Sequence, residues 1–353
     1  ALMSAKAYHD KKVYHDKKAL ASERTYMLKL KYLYENYDLA KFALKNWEYD
    51  TQTLDDCLQH FRISSNAIYP FLWHGNMRFL RLSPVSEKIE NNLKGELEFL
   101  CYLQSRSYPS VIPVASNSGE LVVTLDSIWG KYYASVFHGA DGNSIEDTDC
   151  NDPIVYAYGK ALGQLHLLSA EYSPKIRKWT YRDVLLWIGK TLEKYHAPNK
   201  MLVELEGVQQ ALEVLPQTND SFGLVHYDFE PDNVFWDETR QRCTVIDFED
   251  SMYHFFLLDL EQALDALLEN IPADRKLIAK ATFLRGYQSV KMLEPDYAEK
   301  LKLMRRFCNL YSYARLIRCV DEKYPNEPDW MVKLREKLHS KMVFLENSVS
   351  VTE

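Results

Sequence analysis

Apolar residues recur at helical intervals from 19 to 46, at Leu20, Met27, Leu28, Leu30, Leu33, Tyr34, Tyr37, Leu39, Phe42 and Leu44, without Gly or Pro. This spacing predicts one or two leading helices. From about residue 60 the texture shortens. FRISSNAIYPFLW, a turn at HGN and then MRFLRLSP predict a hairpin of two strands. SEKIENNLKGELEFLCYLQ (86–104) predicts a helix, with Ser86 as its cap and Ile89, Leu93, Leu97, Leu100 and Leu103 along one face. VIPVAS, LVVTLDSI and YYASVFHG, parted by turns at NSGE and WGK, are strand material again. Residues 60–139 therefore read as a mostly antiparallel sheet with one inserted helix.

The acidic, glycine-bearing stretch GADGNSIEDTDCNDP (139–153) breaks this pattern and marks a boundary. Beyond it, YAYGKALGQLHLL, YRDVLLWIGKTLEKY and MLVELEGVQQALEVL each carry apolar residues three and four apart, and helices are expected again from about 255 to the end. The expected organisation is α+β in two lobes: a helical extension (1–59), a small sheet lobe (60–139), a connector (140–153) and a larger helical lobe (154–353).

Two strand ends interrupt the helical half, and both stop in acid. LVHYDFEPDNVFWD (224–237) holds Asp228, Glu230, Asp232 and Asp237 behind an apolar pair; CTVIDFED (243–250) repeats the pattern with Asp247, Glu249 and Asp250. His226, Asp228 and Asn233 form H-x-D-x-x-x-x-N. An Asp beside a substrate hydroxyl can orient it and accept its proton, while an Asn five residues on and an Asp from the next strand end can supply oxygen ligands to Mg²⁺. Oxygen ligands without cysteine favour Mg²⁺ over zinc. Either motif alone reads equally well as a hairpin end with solvated acids; the two together, in order, favour a shared cation.

The chain has 353 residues, 46% hydrophobic and 26% charged, enough for a full core in one large domain or two lobes. A formal charge of −7 disfavours a general nucleic-acid binder. The six cysteines form no CxxC pair and do not cluster with histidine, which supports neither a zinc site nor a disulfide framework and suits a cytoplasmic protein. No stretch resembles a membrane span and ALMSAKAYHDKK lacks an apolar signal core, so no membrane partner is expected. The YHDKK duplication at 8–12 and 14–18 reads as a solvated charged segment.

With both acidic motifs in view, residues 60–265 resemble the aminoglycoside phosphotransferase and choline kinase group, the small-molecule branch of the protein-kinase-like fold. LVHYDFEPDNVFWD is close to that group's catalytic loop, and SSNAIYPF, FLRLSP and DFEDSMYHFFLLDL look most like its bacterial "phosphotransferase enzyme" members. The resemblance implies Asp228 as catalytic base, Asn233 and Asp247 as Mg²⁺ ligands and His226 as the support that fixes the loop. Asp259 then braces that loop from the start of a helix. It also implies a strand cation on the nucleotide phosphates, held by a helix glutamate; these are Arg81 and Glu96. Phosphate cradling falls to Ser64, Ser65 and Asn66, and the adenine edge to the backbone around Val136, Phe137 and His138. His166, on an apolar helix, reads as a satisfied core residue.

Three features depart from protein kinases: a phosphate loop without glycine, Arg instead of Lys at 81, and Glu249 where a D-F-G glycine would stand. Glu230 also replaces the lysine that protein kinases use on the transferred phosphate, which weighs against a protein Ser/Thr kinase. The expected activity is ATP- and Mg²⁺-dependent phosphoryl transfer to a hydroxyl of a small molecule. Glu230, Glu249, Asp250 and Tyr253 are candidate contacts for a cationic acceptor such as an amino sugar, aminoglycoside or amino alcohol. A pseudokinase scaffold is the alternative from another class. The acceptor, the choice between ATP and GTP, and the oligomeric state have no signal in the sequence.

Overall fold

Along MRFLRLSP side chains alternate between two faces, as a strand requires. Met77, Phe79, Arg81 and Ser83 point one way and Leu80 and Leu82 the other; this strand organises the first half of the molecule. The computed structural model describes residues 29–33, 35–269, 271–321, 323 and 325–349. The YHDKK repeat and the expected helical positions from 19 to 28 lie outside them.

After a 3₁₀ turn at Leu30–Tyr32 come two short helices, α1 (Tyr37–Leu44) and α2 (Leu54–Leu58). Asn36 caps α1, its side chain accepting from the Leu39 amide at 2.9 Å. Strands β1 (Arg62–Ile63), β2 (Ala67–Trp73) and β3 (Asn76–Pro84) follow, then helix α3 (Glu90–Ser105), β4 (Pro113–Val114), β5 (Val123–Ser127) and β6 (Gly130–His138). The sheet runs β1-β2-β3-β6-β4, with β5 also on β6, and every pairing is antiparallel. Leu80, Leu82, Ala134 and Val136 pack under α1 and α2 in one core, whereas Phe79 and Phe137 join Leu97 and Leu100 of α3 in another.

Ser86 was expected to cap α3, but the helix starts four residues later at Glu90, and residues 85–87 form a 3₁₀ turn. Lys88 is drawn inward to the Ser65 carbonyl at 3.0 Å and to the Glu249 carboxylate, which holds this turn out of the helix. Ser86 Oγ instead meets the Tyr32 hydroxyl at 3.0 Å.

Past β6 the chain forms β7 (Asn143–Ser144), then α4 (Asp152–Glu171), α5 (Tyr181–Lys194) and α6 (Asn199–Glu213). A capping box of Thr180 and Asp183 opens α5. Strands β8 (Phe222–Val225), β9 (Val234–Asp237), β10 (Arg242–Val245) and β11 (Met252–Phe255) precede α7 (Leu257–Glu269), α8 (Lys276–Gln288), α9 (Tyr297–Val320) and α10 (Asp329–Ser348). β9 pairs with β10 and β7, and β8 with β11, all antiparallel. Helices α4 and α8 touch backbone to backbone: a Cβ on Gly159 would lie 2.0 Å from the Phe283 carbonyl oxygen, and one on Gly286 2.1 Å from that of Tyr156. Only glycine permits that approach, which brings His166 and Tyr287 within hydrogen-bonding range.

Candidate active site

The two acid-bearing turns follow β8 and β10. At the first, Tyr227 adopts a left-handed backbone (φ 68°) that a bulky residue avoids. The cause is Asp259 near the start of α7. Its carboxylate accepts the backbone N–H groups of His226 and Tyr227, each at 2.7 Å, and also meets His166 Nε2 at 3.0 Å. His166 Nδ1 in turn meets the Tyr287 hydroxyl at 2.9 Å, so His166 is a satisfied core residue, as expected. Asp259 is fully buried and braces the loop.

His226 joins the two turns. Its Nε2 lies 2.9 Å from the Ile246 carbonyl, and its Nδ1 accepts the Asp228 amide at 3.1 Å, which assigns the proton to Nε2. Burial lowers its pKa, in keeping with a neutral ring, although Asp259 pulls the other way. Asp228 is half-buried and accepts from Asn233 Nδ2 at 2.8 Å. Burial, followed by the carboxylates of Glu230, Asp232, Asp247 and Asp250, raises its pKa well above the usual carboxylate range.

Asn233 spends its NH₂ on the carbonyl and the carboxylate of Asp228, at 3.0 and 2.8 Å, and its buried Oδ1 has no hydrogen-bond partner among the described residues. A bare amide oxygen beside several carboxylates fits a hard divalent cation. Among the described residues no group of three or more His, Cys, Asp and Glu could hold a metal alone. Asp247 is likewise left-handed (φ 64°), a conformation that costs on the order of 1–3 kcal/mol and persists only where neighbours impose it.

On the sheet side, Arg81 and Glu96 form a two-pronged pair, Nη1 to Oε1 at 2.8 Å and Nη2 to Oε2 at 2.7 Å, with the residues only 4% and 1% exposed. The Arg81 guanidinium lies over the Phe137 ring, 4.7 Å from its centroid. Ser64, Ser65, Asn66, Arg81, Glu96, Phe137 and Asp247 line one cleft, with about 370 Å³ of empty space, that the sequence spreads over more than 180 positions.

Other expected residues fall elsewhere. The backbone from Val136 to His138 is paired with β3 on one edge and with 112–114 on the other, and the His138 amide donates to the Ile112 carbonyl at 2.9 Å. Val136 and Phe137 thus have sheet partners on both sides of β6. The half-buried His138 imidazole lies near Arg78, and burial first, then that charge, lowers its pKa. Glu249 is held by Lys88 and Asn66, and Asp250 is paired with Arg315 of α9 at 2.7 Å. Tyr253 lies near Glu98 of α3, and burial first, then that carboxylate, pushes its hydroxyl up to about 12. Of the four acceptor candidates, Glu230 stays beside Asp228.

Sequence reasoning missed Lys88 and Arg315, which neutralise Glu249 and Asp250. Lys88 lies in a turn and Arg315 in a helix, each far from its partner in sequence, and neither carries a local signal. It also missed Tyr158, whose hydroxyl donates to the Phe229 carbonyl at 2.6 Å while its ring stacks on that of Phe229.

The chain is similar to amicoumacin kinase of Bacillus subtilis, at 24% identity over 272 residues that cover 73% of this chain and 79% of that protein. Among solved structures it is similar to amicoumacin kinase hAmiN in complex with AMP-PNP, Ca²⁺ and Ami (TM-score 0.72, 20% identity, 90% of this chain and 95% of that one). It is also similar to a microcompartment-associated aminopropanol kinase (TM-score 0.65, 18% identity, 88% and 97%). These likenesses give the protein-kinase-like fold of small-molecule phosphotransferases, as the motifs led us to expect. The model of the phosphotransferase enzyme family matches residues 65–299, which is most of the chain and includes both acid-bearing turns. The chain belongs to the phosphotransferase enzyme family.

Proposed function

We propose that the protein transfers the γ-phosphate of ATP, with Mg²⁺, to a hydroxyl of a small molecule that also carries an amine. The observation that carries this reading is the cleft in which the Arg81–Glu96 pair, the 64–66 turn and Asp247 meet beside Asp228. Arg81 holds phosphate oxygens, and Glu96 keeps the guanidinium aimed. Asn233 Oδ1 and the Asp247 carboxylate hold the cation, which when bound neutralises charge on the phosphates. Asp228 orients the acceptor hydroxyl and takes its proton; burial first, then the carboxylates around it, raise its proton affinity. Adenine sits beyond the end of β6, past His138.

Glu230 beside Asp228 supports an amine on the acceptor, as do relatives named as kinases of amicoumacin and of an amino alcohol. The test has two arms. ATP should raise the melting temperature of the wild type more with Mg²⁺ than without, and Asp247→Ala should lose that difference. Labelled ATP offered with amino sugars, amino alcohols, homoserine, choline and pentoses should label an amine-bearing alcohol. A wild type whose nucleotide response ignores Mg²⁺, and which labels none of these compounds, would overturn the reading.

A further inference from the structure

Lys178 lies between α4 and α5, outside every motif discussed so far, and is 2% exposed. Its Nζ donates to the Glu249 carbonyl at 2.9 Å, two residues beyond Asp247. Its stem crosses α3 at Gly95, next to Glu96: a Cβ there would lie 2.7 Å from Lys178 Cγ and 3.1 Å from the Ile176 carbonyl oxygen. The segment carrying the lysine is stitched to the same face of α3 on both sides of that crossing. Asn92 Oδ1 accepts the Trp179 amide at 2.9 Å, and Glu98 accepts the Tyr172 hydroxyl and the Lys175 and Ile176 amides at 2.9, 2.7 and 3.0 Å. At the other end, the Tyr253 amide donates to the Trp179 carbonyl at 2.9 Å.

A buried ammonium is costly unless its charge is used. The groups facing this one are Glu96 of α3, Glu249 and Asp250 of the second acid turn, and Arg81 of β3; burial still brings its pKa down to about 8. The charge therefore sits where it can act on both the glutamate-bearing helix and the turn that presents Asp247. That turn has a strained residue at its head. His226 fixes its near side through the Ile246 carbonyl, and Lys178 fixes its far side through the Glu249 carbonyl.

We propose that Lys178 is a positioning residue for phosphoryl transfer: its stem seats against Gly95 while its ammonium holds the Glu249 carbonyl, which ties α3 to the 247–250 turn and so holds Asp247 in the left-handed conformation that presents its carboxylate to the metal. This rests on the functional reading above. Residues that orient metal ligands from behind typically change metal affinity about 10- to 100-fold when removed. Lys178→Met keeps the apolar stem over Gly95 and removes the ammonium. Gly95→Ala keeps the ammonium and displaces the stem.

The experiment measures ATP affinity by calorimetry with Mg²⁺ and with EDTA, for the wild type and both variants, and compares their melting temperatures without nucleotide. In Lys178→Met the gain in affinity that Mg²⁺ confers should fall by about tenfold or more, while metal-free binding stays within about twofold. Gly95→Ala should move the same gain in the same direction, which keeps the inference testable if one variant folds poorly. Affinities that fall in parallel with and without Mg²⁺ would mean a merely structural lysine and overturn the inference. So would an undiminished Mg²⁺ gain in the variants. If the wild type itself shows no Mg²⁺ gain, the functional reading fails, and this inference with it; a wild-type gain that survives in the variants sinks this inference alone.

Discussion

The turn after β8 is fixed from within the helical part of the molecule by a buried network of neutral donors around one carboxylate: Asp259 gathers two backbone amides and His166, and Tyr287 holds His166. The turn after β10 is fixed by ions that arrive from elsewhere. Glu249 is held by Lys88 from the β3–α3 turn and Asp250 by Arg315 of α9. The first arrangement makes a rigid post for Asp228. The second links the sheet, α3 and α9 through Asp247's own turn, so the residue proposed to meet the metal is also where the two halves of the molecule are tied together. Preorganisation of one group and coupling of two halves thus use different chemistry within one site.

The largest expected effect tests that division of labour. Asp228→Asn keeps the shape and the contact with Asn233 but loses the anion that receives the proton. Phosphoryl transfer should fall by on the order of 10² to 10⁴. Affinity for MgATP should hold, because the residues proposed to hold the phosphates and the cation, Arg81, Asn233 and Asp247, are unchanged. Titrating nucleotide and following slow ATP hydrolysis on wild type and variant side by side checks both; hydrolysis at the wild-type rate would remove Asp228 from the mechanism.

Next in size is Asp259→Ala, which leaves the amides of His226 and Tyr227 and the ring of His166 without their acceptor in a dry site. A buried donor left unpaired costs roughly 1–3 kcal/mol, so the protein should lose about 3 kcal/mol or more in urea unfolding. The loss should change little with added salt, since the partners are backbone dipoles and an imidazole kept neutral by burial. A loss below about 1 kcal/mol would mean that something other than Asp259 imposes the left-handed Tyr227.

These residues were unequally legible beforehand. His226, Asp228, Asn233 and Asp247 could be read because a strand end fixes their spacing within a few residues; Arg81 stands out only through the resemblance, which expects a strand cation held by a helix glutamate. Ser86 misled, because a good capping residue is a local signal and the helix start was decided by Lys88 reaching Glu249, 161 positions away. Glu249 and Asp250 looked like acceptor contacts for the same reason: an acid in a loop reads as available until the cation that neutralises it is seen. VIPVAS reads as strand material, but nothing in it announces that Pro113 and Val114 pair with β6 beside the backbone expected to meet adenine.

Glu249→Gln probes the charged turn through pH. Burial alone would raise the carboxyl, but Lys88 and Arg81 overcome it and hold the pKa at about 2, against an ordinary value of 4.5. A carboxylate depressed by folding contributes stability that is complete above its unfolded pKa and is lost as pH falls through the folded one. The wild type should therefore lose on the order of 2 kcal/mol through this group between about pH 5 and pH 2. The variant should lack that component of its acid limb. Unfolding free energies measured over that range decide it; parallel curves would mean that Glu249 gains nothing from its cations.

The smallest effect lies at the edge of the same charged system. Glu87, in the turn between β3 and α3, pairs with Arg318 of α9 at 2.7 Å, with the glutamate side chain 6% exposed and the arginine 20%. This pair runs beside the Lys88–Glu249 contact and ties the sheet side to the same helix that carries Arg315. It is closer to water than the inner pairs, so the Coulomb gain is partly offset by screening and by the side-chain entropy lost in holding it. Glu87→Gln should cost about 1 kcal/mol or less at low ionic strength. The difference between wild type and variant should shrink toward zero near 1 M salt, where charges are screened over about 3 Å. Asp259→Ala, measured in the same two buffers, should keep its full deficit. If the two variants respond to salt alike, the contrast between a neutral post and an ionic tie does not hold.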